Sequence, residues 1–175
     1  MNSLFIEAES FKNKGGWVVD TASMETIHSA YLMAHGMGEP VDDAVTEFEI
    51  SDNGEYNIWS LTRDWTSVWD VKDSAGKYTI KIDGIELENT LGTNGKEWAW
   101  QLAGKGILKS GTHTITLHDL TGFNGRCDAI YLTAEGDTPP SNVDELAEFR
   151  NEIVNFMHGF DSNQFDVIYY SIYDV

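Results

Sequence analysis

The chain has little cysteine and few cationic residues. The first shortage excludes disulfides within the chain, and the second argues against anionic partners. Cys127 is the only cysteine among 175 residues, so no disulfide can form within the chain. Its apolar strand neighbours predict a buried, inert thiol. Lysine and arginine number 11 against 29 acidic residues, which gives a formal net charge of −18. Phosphate binding needs a basic face, so we expect neither nucleic acid nor an anionic membrane as a partner.

Long apolar runs and catalytic motifs are missing as well. No stretch approaches the roughly 20 apolar residues of a membrane span. We expect no secretory signal in residues 1–3, which lead directly into the first predicted strand. The histidines show no zinc-ligand spacing, the glycines match no phosphate-binding fingerprint, and no serine lies in a nucleophile elbow. A carboxylate pair for glycoside hydrolysis is uninformative among 29 acidic residues. We therefore expect a protein that is not an enzyme.

Residues 4–135 predict a single all-β domain. Residues 77–84 alternate strictly between polar and apolar and end in Asp83-Gly84, which is typical of a half-buried antiparallel strand followed by a turn. Similar short runs, separated by turns rich in Gly, Asn and Asp, lie at 45–50, 55–62, 97–102 and 112–117. Many short strands with no helices between them predict a jelly-roll β-sandwich.

The pattern changes after this domain. Residues 136–142 contain Thr138-Pro139-Pro140-Ser141 and predict a linker. Residues 143–157 place apolar side chains at helical spacing and Gly159 follows, which predicts an amphipathic C-terminal helix. The tail, residues 165–173, has strand propensity and little charge. We expect this short extra strand to dock on the sandwich, to pair with a second copy in a homo-oligomer, or to aggregate.

Two segments at opposite ends of the β domain carry carboxylates among apolar neighbours. Glu7 and Glu9 lie in a predicted strand at 5–10, and alternation in the last strand places Asp128 on the face of its apolar neighbours two and four residues on, Ile130 and Leu132. An inward carboxylate is costly unless a cation or several donors meet it. If the first and last strands are adjacent, one bound calcium explains all three acidic residues.

Tryptophans supply the candidate ligand site. Trp65 and Trp69 fall in a segment without clean alternation, which predicts a loop, and indole rings suit the flat C–H faces of sugars. The polar side chains that we expect to bind sugar hydroxyls beside them are Arg63, Asp64, His35 and Arg126. Two alternatives stay open: the rings plug one end of the sandwich, and Arg126 forms an ion pair with one of the many acidic residues.

The motifs resemble a known class of proteins. Glu7-Ala8-Glu9 and Asp128-Ala129-Ile130-x-Leu132 resemble the opening and closing motifs of calcium-containing carbohydrate-binding modules with a galactose-binding-domain-like jelly roll. This resemblance implies that Glu7, Glu9 and Asp128 ligate a structural calcium and that the domain binds glycans without catalysis. We expect the ligand to be a neutral or weakly charged glycan.

A more specific resemblance rests on the motifs at 15–20, 31–36, 62–65 and 117–130. They are similar to the β-sandwich module that accompanies FAD-dependent oxidoreductases of polysaccharide-degrading bacteria, and to modules of xanthan-lyase type. The resemblance implies a role in polysaccharide utilisation, a periplasmic or extracellular location, and an enzyme domain as a neighbour. The alternative function is therefore a structural accessory domain that packs on an oxidoreductase-type enzyme domain and binds no sugar itself.

The same resemblance bears on the C-terminal residues. In those proteins a helix leads into Phe-Asp, an aliphatic run and the glycine-rich turn that binds flavin. Here Phe165-Asp166 is followed by Val167-Ile168, but tyrosines stand at 169 and 170 where the glycines are expected. No FAD is therefore expected, and residues 143–175 resemble the truncated start of a following domain.

Overall fold

A computed structural model of the chain describes residues 3–134, six residues between 138 and 150 (138, 139, 145, 146, 148 and 150), and the backbone of residues 167–170. The strands are β1 (Ser3–Glu7), β2 (Trp17–Asp20), β3 (Tyr31–His35), β4 (Ala44–Ile50), β5 (Gly54–Thr62), β6 (Tyr78–Ile82), β7 (Ile85–Glu86), β8 (Ala99–Leu108), β9 (Gly111–Asp119), β10 (Phe123–Ala134) and β11 (Val167–Tyr170). One short helix, α1, spans Met24–Ile27, and 3-10 turns span Ala8–Ser10 and Ser67–Trp69.

The strands form two sheets. In the larger sheet β10 pairs antiparallel with β1, β3 and β5, while β2 extends the sheet beside β3 and β8 extends it beside β5. The smaller sheet has the antiparallel order β4-β9-β6-β7. The predicted jelly-roll β-sandwich is thereby confirmed, and the alternating run at 77–84 contains β6.

The larger sheet is buried on both faces along β1 and most of β5 and β10, whereas Val18 and Val19 of β2 are exposed. Its inner face packs against the smaller sheet through a core that includes Ile58, Ile80, Ile115 and Ile130. Each such side chain contributes about 1.5–3 kcal/mol when fully buried. A second apolar cluster covers the outer face and includes Phe5, Ile27, Tyr31, Leu61, Trp98, Ala129 and Leu146. Burial on both faces explains why β1 has consecutive buried residues where a half-exposed strand would alternate.

Two details of the predicted acidic strands are wrong. The strand predicted at 5–10 ends at Glu7, because the chain turns there: Ser10 Oγ donates to the Glu7 carbonyl at 2.6 Å. In β10 the pairing with β5 is irregular between Cys127 and Ala129, so alternation is interrupted. As a result Cys127 joins the inner-core cluster of Ile130 and Leu132, whereas the Asp128 carboxylate contacts Arg150. Burial raises the pKa of the Cys127 thiol to about 12, in keeping with an inert thiol.

Most of the predicted linker and C-terminal helix lies outside the described residues. Glu145, Leu146, Glu148 and Arg150 have helical backbone. Of the three outcomes for the tail, docking on the sandwich is the one observed, since β11 pairs parallel with β1 at the edge of the larger sheet. Within the described part of the chain, no helix is long and apolar enough to cross a membrane.

Candidate functional site

A cavity of about 250 Å³ lies where the loops that follow β2 and β5 meet the start of β3 and the first half of β10. Four of the predicted ligand residues line it. The lining consists of Ala22, Ser23, Tyr31, Arg63, Trp65, Val68, Trp69 and Arg126.

The indole rings form an ordered aromatic wall in this cavity. The Trp65 and Trp69 ring centroids are 5.5 Å apart at an interplanar angle of 82°. Trp65 also stacks on Phe123 at 6.1 Å and donates its Nε1–H to the Phe123 carbonyl at 2.9 Å. Trp65 is therefore held in place, whereas Trp69 is 64% exposed. The exposure argues against the alternative in which both rings plug the sandwich.

Two guanidinium groups meet the aromatic wall. Arg126 Cζ lies 5.2 Å from the Trp65 ring centroid, within cation–π range. Arg63 Nε is buried and has no hydrogen-bond partner among the described residues. Burial and the nearby charge of Arg126 lower the pKa of Arg63, although Glu97 and Asp64 act in the opposite direction. The chain contains only three arginines, and two of them line this cavity.

Asp64 lies outside the lining and organises the loop behind it. Its buried carboxylate accepts hydrogen bonds from Thr66 N–H at 2.9 Å, Thr66 Oγ1 at 2.6 Å, Ser67 Oγ at 2.8 Å and Ser74 Oγ at 2.8 Å. Burial acts to raise the pKa of Asp64, but these hydrogen bonds outweigh it and the pKa is lowered. Asp64 thus positions the loop that carries Trp65 and Trp69.

His35 also lies outside the lining. Its exposed ring places Nδ1 2.7 Å from Asn124 Oδ1, which links the end of β3 to the start of β10. Sequence reasoning did not single out Tyr31 and Phe123 as parts of this site. Phe123 lies three residues before the candidate ligand residue Arg126, which was the available signal, whereas strand alternation alone carries no sign that Tyr31 faces a cavity.

The three predicted metal ligands form a second, separate site. The antiparallel pairing of β1 with β10 sets Glu7 opposite Ala129, next to Asp128. One carboxylate oxygen each of Glu7, Glu9 and Asp128 lies within 4.8 Å of the others, and all three side chains are buried. We call these three residues the carboxylate cluster.

A guanidinium group already meets this cluster. Arg150 Nε and Nη2 donate to the two carboxylate oxygens of Glu7 at 2.9 and 2.8 Å, and Nη2 also donates to Asp128 Oδ2 at 2.8 Å. Arg150 Nη1 donates to the carbonyl of Ile27 at the end of α1. Burial acts to lower the pKa of Arg150, but Asp128 and Glu7 raise it, so the group stays charged.

Two carboxylate oxygens of the cluster still have no hydrogen-bond donor among the residues that the structure describes. Ser29 Oγ donates to Glu9 Oε1 at 2.7 Å, while Glu9 Oε2 and Asp128 Oδ1 are buried without a hydrogen-bond partner among the described residues. Burial and the charge of Glu7 raise the pKa of Glu9 to about 7. Full burial raises the pKa of Asp128, against the effect of Arg150.

Carboxylate oxygens are the donors that calcium prefers, so the residues of the cluster fit this ion. Arg150 occupies three of the six carboxylate oxygens. Sequence reasoning missed Arg150 because the helical pattern was read from its apolar positions alone. The available signal was its spacing from Leu146: residues four apart lie on one side of a helix.

Solved structures with the same fold include carbohydrate-binding modules. A family 35 carbohydrate-binding module from Clostridium thermocellum is 14% identical with a TM-score of 0.57, over 77% of this chain and 99% of that one. A family 35 module from an environmental isolate is 17% identical with a TM-score of 0.52, over 78% and 97%. A Podospora anserina GH26-CBM35 β-(1,4)-mannanase is 19% identical with a TM-score of 0.58, over 79% of this chain.

The chain spans only 29% of that mannanase. No protein-family model and no curated protein sequence matches the chain. At 14–19% identity the likeness concerns the backbone arrangement. The chain therefore has the β-sandwich fold seen in family 35 carbohydrate-binding modules.

Proposed function

We propose that the chain is a non-catalytic carbohydrate-binding module and that its ligand site is the Trp65–Trp69 cavity. The main observation in support is that the exposed Trp69 ring contacts Trp65, which is held in place. Arg63 and Arg126 line the same cavity. A pyranose ring can pack on an indole while guanidinium N–H groups bind its oxygens. The shared fold with carbohydrate-binding modules supports this function.

Because Arg63 and Arg126 both line the cavity, the ligand to test first is a sugar that bears a carboxylate. Arg63 Nε has no partner among the described residues, and within that part of the chain no acidic residue lines the cavity. Arginine binds carboxylates in bidentate geometry, and charge-assisted hydrogen bonds are stronger than neutral ones. A weakly charged glycan that contains such units can use both the aromatic wall and the arginines.

The test is titration calorimetry of the purified chain against a polyuronate and a neutral polysaccharide. Trp69→Ala is the informative variant, because its ring is exposed and its loss leaves the core intact. Ile85→Ala is the matched control, since Ile85 is also an exposed apolar residue but lies outside the cavity lining. Binding that Trp69→Ala abolishes and Ile85→Ala keeps supports the proposal. Equal binding by both variants contradicts the assignment of this cavity.

We also propose that the carboxylate cluster binds calcium. Its three convergent carboxylates and its two unpartnered buried oxygens support this site. Glu7, Glu9 and Asp128 would hold the ion, which would neutralise their charge and tie β1 to β10. Calcium is then expected to raise the melting temperature and chelation to lower it, with Asp128→Asn insensitive to both. Identical melting curves with calcium and with chelator, for the wild type and for Arg150→Met alike, would remove this site.

The second candidate function is an accessory domain that packs on an enzyme domain, of FAD-dependent oxidoreductase or xanthan-lyase type, without binding sugar. The observation in its favour is that one of the similar solved structures is an enzyme, and the part that resembles this chain makes up only 29% of it. In that case Trp69 would be covered in the assembly. Acrylamide quenching of tryptophan fluorescence distinguishes the two: the accessory role predicts protection by the enzyme domain and none by polysaccharide.

A further inference from the structure

We infer that Arg150 and calcium are alternative occupants of the carboxylate cluster, so that calcium enters only when the C-terminal latch is released. The latch is defined as Leu146 and Arg150: Leu146 packs in the outer cluster, and Arg150 binds Glu7 and Asp128 of the larger sheet. The inference rests on the proposed calcium site and adds to it the chain's own competitor.

The two cations need the same space. Arg150 Nη2 lies 2.8 Å from Glu7 Oε2 and 2.8 Å from Asp128 Oδ2, so it bridges the two strands as a metal ion would. Calcium binds carboxylate oxygens at about 2.3–2.6 Å. An ion that these two oxygens hold on the side of Nη2 would overlap the guanidinium nitrogen. Joint occupancy is therefore excluded on that side of the pair.

The unpartnered carboxylate oxygens of the cluster favour the exchange of Arg150 for calcium. Three buried carboxylates face a single guanidinium group, and Glu9 Oε2 and Asp128 Oδ1 find no donor among the described residues. Arginine presents a planar fork whose N–H groups are already directed at Glu7, Asp128 and the Ile27 carbonyl. A divalent ion carries twice the charge and accepts six to eight oxygens, so it can engage those that the guanidinium leaves unpartnered.

Two contacts oppose release of the latch. Leu146 is fully buried in the outer cluster beside Ile27 and Trp98, and it lies four residues before Arg150 in helical backbone. One apolar and one cationic anchor thus bind the same side of the segment to the sheet. Calcium binding must offset the loss of both anchors, so the latch weakens the apparent affinity of the cluster for calcium.

The experiment is calcium titration by calorimetry on the full chain, after chelator treatment, for the wild type, Arg150→Met and Arg150→Lys. Lys96→Met is the matched control, because it removes an exposed cation that pairs only with its neighbour Glu97. Arg150→Met is expected to bind calcium at least about tenfold more tightly than the wild type, within the usual range of coupling between sites. Arg150→Lys should lie between them, and Lys96→Met should match the wild type.

Leu146→Ala provides a variant that leaves every charge of the cluster in place. It loosens the apolar anchor and is also expected to tighten calcium binding, which keeps the test decisive if Arg150→Met fails to fold without calcium. Hydrogen exchange gives a second measurement: calcium should increase exchange in the wild-type peptide that contains Leu146.

The outcomes separate the two proposals. Calcium binding of equal affinity in the wild type, Arg150→Met and Leu146→Ala would overturn the competition and leave the calcium site standing. No calcium binding by any variant would overturn both, with Arg150 then the permanent cation of the cluster. Neither result would affect glycan binding in the Trp65–Trp69 cavity, which the calorimetry with polysaccharides tests separately.

Discussion

The Trp65–Trp69 cavity and the carboxylate cluster each gather charges of one sign, but they neutralise them differently. In the cluster, buried acidic residues meet Arg150, which lies 143 positions after Glu7 and 22 after Asp128. In the cavity, Arg63 and Arg126 lie together, and no acidic residue belongs to the described lining. Charge that the chain neutralises itself stabilises the fold, whereas charge left beside an open cavity is available to a ligand.

Single carboxylates in the two regions show the same contrast. Asp64 and Glu9 are both buried, at 5% and 6% exposure. Asp64 accepts four hydrogen bonds and its pKa is lowered, whereas Glu9 accepts one from Ser29 and its pKa rises to about 7. The supply of donors and the charge of neighbouring groups such as Glu7, and not burial alone, thus set the direction of the pKa shift.

The largest expected effect is a difference between Arg150 and Arg126 in how much each contributes to the free energy of unfolding. Arg150→Met in chelator should lower the free energy of unfolding by about 3–5 kcal/mol, because it leaves buried carboxylates without their cation. Arg126→Met should change it by less than about 1 kcal/mol, since Arg126 is only half-buried and lies over the Trp65 ring. Urea unfolding measures both. Similar losses for the two variants would contradict the distinction between the regions.

Glycan affinity should depend on the Trp65–Trp69 cavity and not on the carboxylate cluster. Trp69→Ala is expected to weaken binding of the preferred polysaccharide at least about tenfold, the loss of about 1.4 kcal/mol or more of ring contact. Arg150→Lys keeps a cation in the cluster and should bind that polysaccharide as the wild type does. Calorimetry at matched salt concentration provides the measurement. Loss of glycan binding in Arg150→Lys, with the fold intact, would show that the cluster itself serves the ligand.

A smaller effect concerns the charge of the sugar. Arg126→Lys keeps the positive charge but loses the planar fork, so the preference for a polyuronate over its carboxyl-reduced form should fall by about 1–2 kcal/mol. Binding of the reduced form should weaken by less, because it loses only hydrogen bonds to neutral oxygens. A wild type that binds both forms equally would restrict the ligand to neutral glycans.

The smallest effect is the acid response of the Trp65 loop. A lowered pKa means that the Asp64 carboxylate stabilises the fold above the ordinary carboxyl pKa near 4 and loses this contribution as pH falls through its own lower value. Tryptophan fluorescence should therefore report loosening of the loop below pH 4. Asp64→Asn should remove this step and cost about 1 kcal/mol at neutral pH. A step of equal size in Asp64→Asn would assign it to other carboxylates.

The strands and the sandwich could be predicted because their signal is local. Alternation at 77–84 and turn residues such as Asp83-Gly84 act over a few positions, and the structure forms β6 there. The convergence of Glu7 and Asp128 was also predictable, since an inward carboxylate in each terminal strand needs a partner. Trp65 and Trp69 stood out by residue type, and the structure places both in one cavity.

The partner of each charged group depended on contacts between distant parts of the chain. Nothing local to Arg150 indicates Glu7, because 143 positions separate them; among the described contacts, the packing of Leu146 on the outer cluster and the bond from Arg150 to the Ile27 carbonyl hold them together. The irregular pairing near Cys127 likewise redirects Asp128, which strict alternation cannot anticipate. Backbone periodicity and residue chemistry are properties of short segments, and they predicted the sheets and the functional groups. Which cation meets which carboxylate is a property of tertiary packing, because side chains pair by distance in space and not by separation along the chain.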